Sequence, residues 1–327
     1  MSISKNTGHS DELFFEGITD RLQHLASNAR HSLHIFAPYI TLRGIQALLR
    51  DIESSITIKV YTTWRRRDIT MGSSDPAIYP FLRSLEGEVF LIKNLHLKGM
   101  LTDFRSFMLM TANITDNGLS LNSTGNAECA NYVAQILPSN LIDFHKLIGT
   151  AIPVSDDLYE QALAIDFEDT DADKGDDFCP NQQELDFLIS RLPCTRTPEE
   201  LIEALECLGR NQFERNEDEL MNICHDAALY DLEPSKDPKE NALALKHAFI
   251  NQPFVASFAI SLKESPRYFG ETKAWIQTNC ADDPTPHRRE LTDRIQNLFR
   301  WFPNLYPDLY RVTRPNYSEK LEFVGKV

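Results

Sequence analysis

The chain has 327 residues, 42% of them hydrophobic and 25% charged, which is the ordinary composition of a globular protein large enough for two domains. Its net charge of −15 lies entirely in the second half: residues 1–150 hold 14 basic and 14 acidic side chains, which leaves 19 of the 33 basic and 34 of the 48 acidic residues for 151–327. This balance argues against a protein that coats nucleic acid over its whole surface, although the neutral first half can still hold a local basic site.

The first half alternates helix-like and strand-like segments. Apolar spacing predicts a helix within 10–30 with Ser10 as its N-cap, a helix over 41–52 capped by Thr41, and a helix over 75–85 that opens on Asp-Pro. The predicted strands are 32–40, 56–63, 88–92, 96–103, 106–113 and 128–137. Strands that alternate with helices and then form a hairpin predict an α/β domain with a mixed β-sheet flanked by helices.

The second half opens with the acidic stretch DFEDTDADKGDD at 166–177, which predicts a solvated linker. Helical spacing then recurs over 181–192, 197–209, 217–232, 239–250 and 287–302, while the aromatic and basic tail is predicted to be a strand or an arm. The aromatic cluster Trp301, Phe302, Tyr306 and Tyr310 is predicted to be core or dimer contact. The predicted organisation is a catalytic domain over 1–152, an acidic linker over 153–180 and a mainly α-helical domain over 181–327.

Six cysteines are present, none in a CxxC pair, and their spacing matches no zinc pattern. No apolar run approaches the roughly 20 residues that cross a bilayer, and the N-terminus lacks the basic start and apolar core of a secretory signal. A cytoplasmic protein with buried free thiols is therefore predicted, and a zinc site assembled from distant residues stays open.

The strongest functional signal is HLKGMLTDFRSFMLMTAN, residues 96–113. Because side chains alternate along a strand, His96 and Lys98 share one face, and Asn113 ends the next predicted strand, which a short turn brings back antiparallel. An imidazole, an ammonium and a carboxamide suit phosphoryl transfer, since His can attack phosphorus while Lys and Asn hold the phosphoryl oxygens. Taken alone, the His-x-Lys pair is a weak signal that favours a surface hairpin with one exposed His and one exposed Lys.

The longer spacing is more specific than the pair. After His96 and Lys98 the sequence has four residues, Asp103, six residues, Met110-Thr111 and, one residue further, Asn113. This resembles the motif of the phospholipase D superfamily, in which His-x-Lys is followed by four residues, Asp, six residues, Gly-Ser and a nearby Asn. The sequence departs from that motif at Met110, where the family has Gly, and conservatively at Thr111, where it has Ser.

The flanking segments extend the resemblance over about residues 10–150. ANITDNGL at 112–119 and NAE at 126–128 are similar to the family's segments downstream of the motif. APYIT at 37–41 is similar to the end of the family's first strand. TTWRRRDITMGSSD at 62–75 is similar to a segment of phospholipase D-like nucleases from bacterial restriction and defence systems.

The resemblance implies a role for each matching residue. His96 is the nucleophile that forms a phosphohistidine intermediate, Lys98 and Asn113 bind the phosphoryl oxygens, and Thr111 adds a hydroxyl donor. Glu128 orients His96, Asp103 is a structural residue of the motif, and neither a metal nor another cofactor is required.

The basic stretch after the predicted strand 56–63 is a second candidate site. Trp64, Arg65, Arg66 and Arg67 are predicted to contact substrate, with the arginines on the phosphate backbone and Trp64 stacking on a base. An exposed basic loop is the alternative interpretation.

The reaction needs a second histidine to protonate the leaving oxygen and then activate water. None of the other histidines is followed by x-Lys and the rest of the motif; they are His9, His24, His31, His34, His145, His225, His247 and His287. Single-motif members of the family solve this by forming a two-fold homodimer around the site, and the same is predicted here.

The predicted function is a metal-independent phosphodiesterase, namely a DNA or RNA nuclease with a site shared across a homodimer, in bacterial defence or restriction. Its acidic C-terminal domain is predicted to provide target specificity or to bind protein partners, and no membrane contact is predicted. One alternative is a non-catalytic scaffold or sensor subunit of a defence complex, which Met110 favours. The other is a lipid phosphodiesterase, which would require an interfacial apolar surface.

Overall fold

The computed structural model describes residues 13–52, 56–123, 125–165, 185–210, 216–282, 286 and 288–325. The chain divides into two compact units. The first comprises residues 1–137 and 150–179, and the second comprises 138–149 and 180–327.

The first unit contains a mixed eight-stranded sheet in the order β1-β7-β6-β5-β2-β3-β4-β8. Its strands are β1 Leu13–Phe14, β2 Ser32–Phe36, β3 Thr57–Thr62, β4 Glu88–Leu91, β5 Gly99–Thr102, β6 Ser106–Met110, β7 Ala130–Val133 and β8 Ile152–Pro153. The β2–β3 and β3–β4 pairs are parallel, and every other neighbouring pair is antiparallel. The predicted mixed α/β sheet is therefore confirmed.

Helices of the first unit connect and flank these strands. They are α1 Ile18–Ser27, α2 Leu42–Leu48, α3 Arg66–Thr70, α4 Ile78–Ser84 and α6 Asp156–Leu163. The parallel pairs require crossover connections, which α2 supplies between β2 and β3, and α3 with α4 between β3 and β4. The predicted Thr41 cap is confirmed, because its side chain accepts the Gly44 N–H at 3.1 Å.

Two predicted helix starts are wrong. Leu13–Phe14 pairs with β7 as a short strand, and α1 starts only at Ile18, after Gly17 in the left-handed region; Ser10 lies outside the described residues. Asp75 does not begin α4 directly. Its carboxylate accepts the Ala77 N–H at 2.9 Å, which closes a turn ahead of the helix.

The second unit is mainly helical, as predicted. Its helices are α5 Pro138–Ile148, α7 Pro198–Gly209, α8 Glu217–Leu229, α9 Pro238–Asn251, α10 Pro253–Glu264, α11 Phe269–Asn279 and α12 Arg288–Leu305. In the described part of the predicted helix over 181–192, Leu185 is helical and Ile189–Arg191 forms a 3₁₀ turn. Sequence patterning missed α5, α10 and α11.

The aromatic cluster of the tail forms core, as one of its two interpretations predicted. Trp301 and Phe302 are fully buried and pack with Phe249 at ring-centroid distances of 5.3 and 5.2 Å. The tail itself forms strands β10 Tyr310–Thr313 and β11 Lys320–Phe323, which pair antiparallel with each other and with β9 Arg267–Tyr268.

The domain boundary differs from the predicted division at 152. Helix α5 packs against α8 and belongs to the second unit, while 150–165 returns to the first. The predicted linker begins as ordered structure, because α6 is capped by Ser155 and Asp156 accepts a hydrogen bond from the Tyr79 hydroxyl at 2.8 Å. The acidic stretch 166–177 lies outside the described residues. Within the described part of the chain, no helix has the length and apolarity to cross a membrane.

Candidate active site

One end of the first unit's sheet brings the predicted site residues together. Strands β5, β6 and β7 are consecutive antiparallel neighbours, so the start of β5, the end of β6 and the start of β7 lie at the same end of the sheet. The carboxyl ends of the parallel strands β2 and β3 lie at that end as well. The residues at this end are His96 and Lys98 before β5, Thr111 and Asn113 after β6, Glu128 before β7, and Trp64 to Arg67 after β3. The sequence places these groups next to strand ends, and the topology places those ends together.

His96 and Lys98 lie in the segment that leads into β5. The His96 side chain is exposed and that of Lys98 is half-buried. The Lys98 ammonium donates to the His96 carbonyl oxygen at 3.1 Å, and the Lys98 carbonyl accepts the Met110 N–H at 3.0 Å. The backbone of this segment is therefore tied to the end of β6, while the imidazole faces solvent.

Thr111 and Glu128 form a hydrogen-bonded pair across the ends of β6 and β7. The Thr111 hydroxyl donates to one Glu128 carboxylate oxygen and accepts the Cys129 N–H at 3.0 Å. The other carboxylate oxygen accepts the Asn126 side-chain amide at 3.2 Å. Among the described residues no hydrogen bond joins Glu128 to His96, so Glu128 here holds Thr111 instead. The sequence does not reveal that Thr111 and Glu128 pair, although the NAE segment at 126–128 contains both Glu128 and Asn126.

Asn113 lies beyond the end of β6 at Met110, so it does not end that strand as predicted. Its side-chain oxygen is enclosed and accepts no hydrogen bond within the described residues. Gly118 folds back so closely that an added Cβ would lie 2.3 Å from the Asn113 carbonyl oxygen, which explains the glycine of this segment. The chain thus fixes the Asn113 backbone while one polar atom of its carboxamide has no partner in this part of the protein.

Asp103 lies at the opposite end of the β5–β6 hairpin from His96. Its carboxylate accepts the backbone N–H groups of Arg30, His31 and Ser32 at 3.0, 2.8 and 2.9 Å. Asp103 and Phe104 both have left-handed φ angles, 53° and 51°, which a tight hairpin turn requires. These contacts join the hairpin turn to the start of β2, a structural role remote from the candidate chemistry.

Residues that the sequence motif groups together also lie at one end of the sheet, apart from the structural residue Asp103. The first unit resembles the phospholipase D superfamily. The residues of the motif, from His96 to Asn113, are what support this resemblance.

Solved structures similar to part of the chain include NucT from Helicobacter pylori, at 16% identity over 44% of this chain and 98% of NucT, with a TM-score of 0.36. Nuc from Salmonella typhimurium, described as a phospholipase D family member, is similar at 15% identity over 44% of this chain and 97% of Nuc, with a TM-score of 0.36. Phosphatidylserine synthase from Haemophilus influenzae is similar at 15% identity over 47% of this chain and 42% of the synthase, with a TM-score of 0.37. No protein-family model matches the chain, and no curated protein matches its sequence.

Met110 occupies the position where the phospholipase D superfamily has glycine. Its side chain is only 5% exposed and packs into the core of the first unit, opposite the small Ala130 of β7. A side chain directed into the core does not cover the exposed surface where His96 and Thr111 lie. The methionine is therefore accommodated by packing in the core and leaves that surface open.

The basic stretch after β3 is placed differently from its prediction. Trp64 is 2% exposed and part of the core, so a base cannot stack on it in this conformation. The large apolar area of the indole favours burial over the surface position that base stacking requires. Arg65 and Arg66 are half-buried, Arg67 is exposed, and all three are engaged with other groups.

No second motif histidine lies at this sheet end among the described residues. His34, on β2, is buried in an aromatic row, with its Nδ1 3.1 Å from the Tyr61 hydroxyl and its ring stacked on Tyr61. His31 lies at the far end of the sheet, next to Asp103. His96 is thus the one imidazole that the described part of the phospholipase D-like unit offers at the site.

Proposed function

We propose that this protein is a metal-independent phosphodiesterase that cleaves DNA or RNA, with His96 as its nucleophile. The observation that supports this most strongly is the convergence of an exposed imidazole, an ammonium, a hydroxyl, a carboxamide and a carboxylate at one sheet end, in the spacing of the phospholipase D motif. Histidine, lysine and asparagine at that spacing fit nucleophilic attack on phosphorus with stabilisation of the phosphoryl oxygens.

In this proposal the His96 imidazole attacks phosphorus and forms a phosphohistidine, and the leaving oxygen takes a proton from an acid. Water then attacks the phosphohistidine and releases the imidazole. Lys98 and Asn113 hold the non-bridging oxygens throughout. The Thr111 hydroxyl donates its hydrogen bond to Glu128, so its role is to fix the ends of β6 and β7.

The acid in this scheme comes from a second copy of the chain. A two-fold dimer with the sheet ends facing each other would supply two His96 side chains to one site, one as nucleophile and one as acid and base. The exposed position of His96 supports this arrangement, because a partner can reach it.

Nucleic acid is the proposed substrate because Arg65, Arg66 and Arg67 follow β3 at the same sheet end as His96. Arginines that flank a phosphodiester site hold the backbone of a longer substrate. A role in bacterial defence or restriction, and protein binding by the acidic second half, stay predictions from the resemblance.

The decisive assay is digestion of plasmid, single-stranded DNA and RNA in EDTA. Wild type should cleave at least one of them, and His96→Ala should lower the rate by roughly 10³-fold or more. His24→Ala is the matched control, because His24 is an exposed helical histidine on α1, and it should retain full activity. Cleavage that survives His96→Ala, or that vanishes on chelation, would contradict the mechanism. Hydrolysis of lipid but of no nucleic acid would show that the substrate is a lipid phosphodiester.

Met110 is the observation that favours the non-catalytic alternative. Its buried side chain weakens that alternative, since only the backbone of this position borders the candidate site. A wild-type chain that binds nucleic acid in the same assay but cleaves none would support a scaffold or sensor instead.

A further inference from the structure

A second cluster of titratable side chains lies in the second unit and shares no residue with the motif from His96 to Asn113. Cys194 precedes α7, His225 and Asp226 lie on α8, and Arg294 lies on α12. A ring nitrogen of His225, the Cys194 sulphur and an Asp226 carboxylate oxygen all lie within 4.8 Å of one another. Cys194 and Arg294 are 100 positions apart in the sequence, so no short sequence motif contains the cluster.

Hydrogen bonds hold the cluster in place. Asp226 is fully buried, and its carboxylate accepts the His225 Nδ1–H at 2.8 Å and the backbone N–H groups of Cys194 and Thr195 at 2.8 and 2.7 Å. The Arg294 guanidinium donates to the Cys194 sulphur and, at 3.2 Å, to the Leu192 carbonyl. The sulphur is therefore fixed between a guanidinium and an imidazole that is itself oriented by a carboxylate.

This geometry fits acid–base chemistry better than a metal ion. Two ligands of a tetrahedral zinc, each about 2.0 Å from it, lie roughly 3.3 Å apart. The 2.8 Å separation of His225 Nδ1 and Asp226 Oδ1 is instead that of a hydrogen bond. The Arg294 guanidinium also donates a hydrogen bond to the sulphur, and its positive charge would repel a metal ion at that position.

The electrostatics around the cluster agree with an acid–base pair. Burial alone would lower the pKa of His225, but the Cys194 sulphur and the Asp226 carboxylate raise it to about 9. Tyr230 and His145 also face the cluster: burial, then Asp226 and Cys194, raise the pKa of Tyr230, and the His145 ring centroid lies 5.9 Å from that of His225.

Cys194 lines a cavity of about 710 Å³ that is rich in arginine. Its charged lining residues are Arg196, Arg289, Arg294, Arg300, Glu290 and Asp293, with amides from Asn222, Gln296 and Asn297. Four cations against two carboxylates make this cavity positive, in the half of the chain that holds the entire net charge of −15. A positive cavity inside an acidic domain selects an anionic small molecule.

We propose that Cys194 is the nucleophile of a second reactive centre, which takes an anionic electrophile bound by the arginines of this cavity, with His225 as the base. In the step, the Cys194 S–H proton moves to the His225 imidazole and the sulphur lone pair forms the new bond to the electrophilic carbon. The leaving group departs with the bonding electron pair. Asp226 is a positioning residue that holds the imidazole.

The test is site-resolved alkylation of the full-length protein by iodoacetate, an anion, and iodoacetamide, its neutral counterpart. In both cases a carbon–iodine bond breaks, iodide leaves and a thioether forms. Cys207, a half-buried cysteine on α7, is the internal reference. Mass spectrometry should show Cys194 reacting roughly tenfold faster than Cys207, with the excess larger for iodoacetate than for iodoacetamide.

Two variants separate the roles of charge and base. Arg196→Gln, at the exposed rim, should reduce the iodoacetate rate at Cys194 several-fold and leave the iodoacetamide rate unchanged. His225→Gln should slow both probes and move the pH dependence of the Cys194 rate to higher pH, which a purely structural role would not do.

Three results would overturn the proposal. They are a Cys194 rate no higher than that of Cys207, equal relative rates for the two probes, and protection of Cys194 by one equivalent of Zn²⁺ per chain. None of these readouts depends on nuclease activity, so the outcome is separate from that of the phosphodiesterase proposal.

Discussion

Replacing Asp103 should destabilise the first unit without touching the candidate chemistry. The Asp103 carboxylate receives three backbone N–H groups, from Arg30, His31 and Ser32, and joins the β5–β6 turn to the start of β2. Its own φ of 53° lies in the left-handed region, which Asp and Asn tolerate better than Ala.

The magnitude follows from these two terms. Partly exposed hydrogen bonds to a carboxylate contribute about 1 kcal/mol each, so Asp103→Ala loses about 3 kcal/mol, and the left-handed backbone adds about 1 kcal/mol. Asp103→Asn keeps one acceptor oxygen for His31 and Ser32 and tolerates the turn. It places an amide against the Arg30 N–H, so we expect a loss of only about 1–2 kcal/mol.

Urea unfolding would measure the free energies, and hydrogen exchange of a peptide spanning residues 30–32 would report the loss locally. The peptide should lose protection in Asp103→Ala, while the folded fraction should keep the specific activity proposed for the wild-type protein. Asp103→Ala within about 0.5 kcal/mol of wild type, with unchanged exchange at 30–32, would refute this structural role.

Two further predictions address packing and pH. Met110→Gly should lower the free energy of unfolding by about 3 kcal/mol, because it empties a buried site in the core, and it should not raise activity. Met110→Leu, which fills the same site, should lower it by less than about 1.5 kcal/mol. A glycine variant that is more active and equally stable would show that Met110 obstructs the site. Burial, together with the nearby His225, lowers the pKa of His145 to about 3. Between pH 7 and pH 5 only the unfolded chain therefore binds a proton at His145, so acid destabilises the folded state. In urea unfolding, the free energy of unfolding of wild type should fall by about 2 kcal/mol more than that of His145→Gln over this range. Parallel pH curves for wild type and His145→Gln would contradict the assignment of this stability change to His145.

Local patterns predicted most of the first unit. The strands β2 to β6 lie within predicted segments, because alternation and turn residues act over a few positions, and Thr41 caps α2 for the same local reason. The motif could also be read from the sequence, since its members flank two consecutive strands.

Long-range packing could not be read in the same way. Trp64 is next to three arginines in sequence but buried in the core, and helix α5 joins the second unit by packing against α8. The Thr111–Glu128 bond and the Cys194 cluster depend on side chains that only the fold brings together. Helices α10 and α11 were missed because neither has a strong polar face to reveal its period.

The most direct test of the central claim is the activity of a mixed dimer. Wild-type and His96→Ala chains with different affinity tags can be co-expressed and the dimer carrying both tags isolated. If one site needs His96 from both copies, the mixed dimer should have almost no phosphodiesterase activity in EDTA, whereas the wild-type dimer purified through two tags should be fully active. A mixed dimer with half of the wild-type activity would show that each chain works alone and would contradict the shared site.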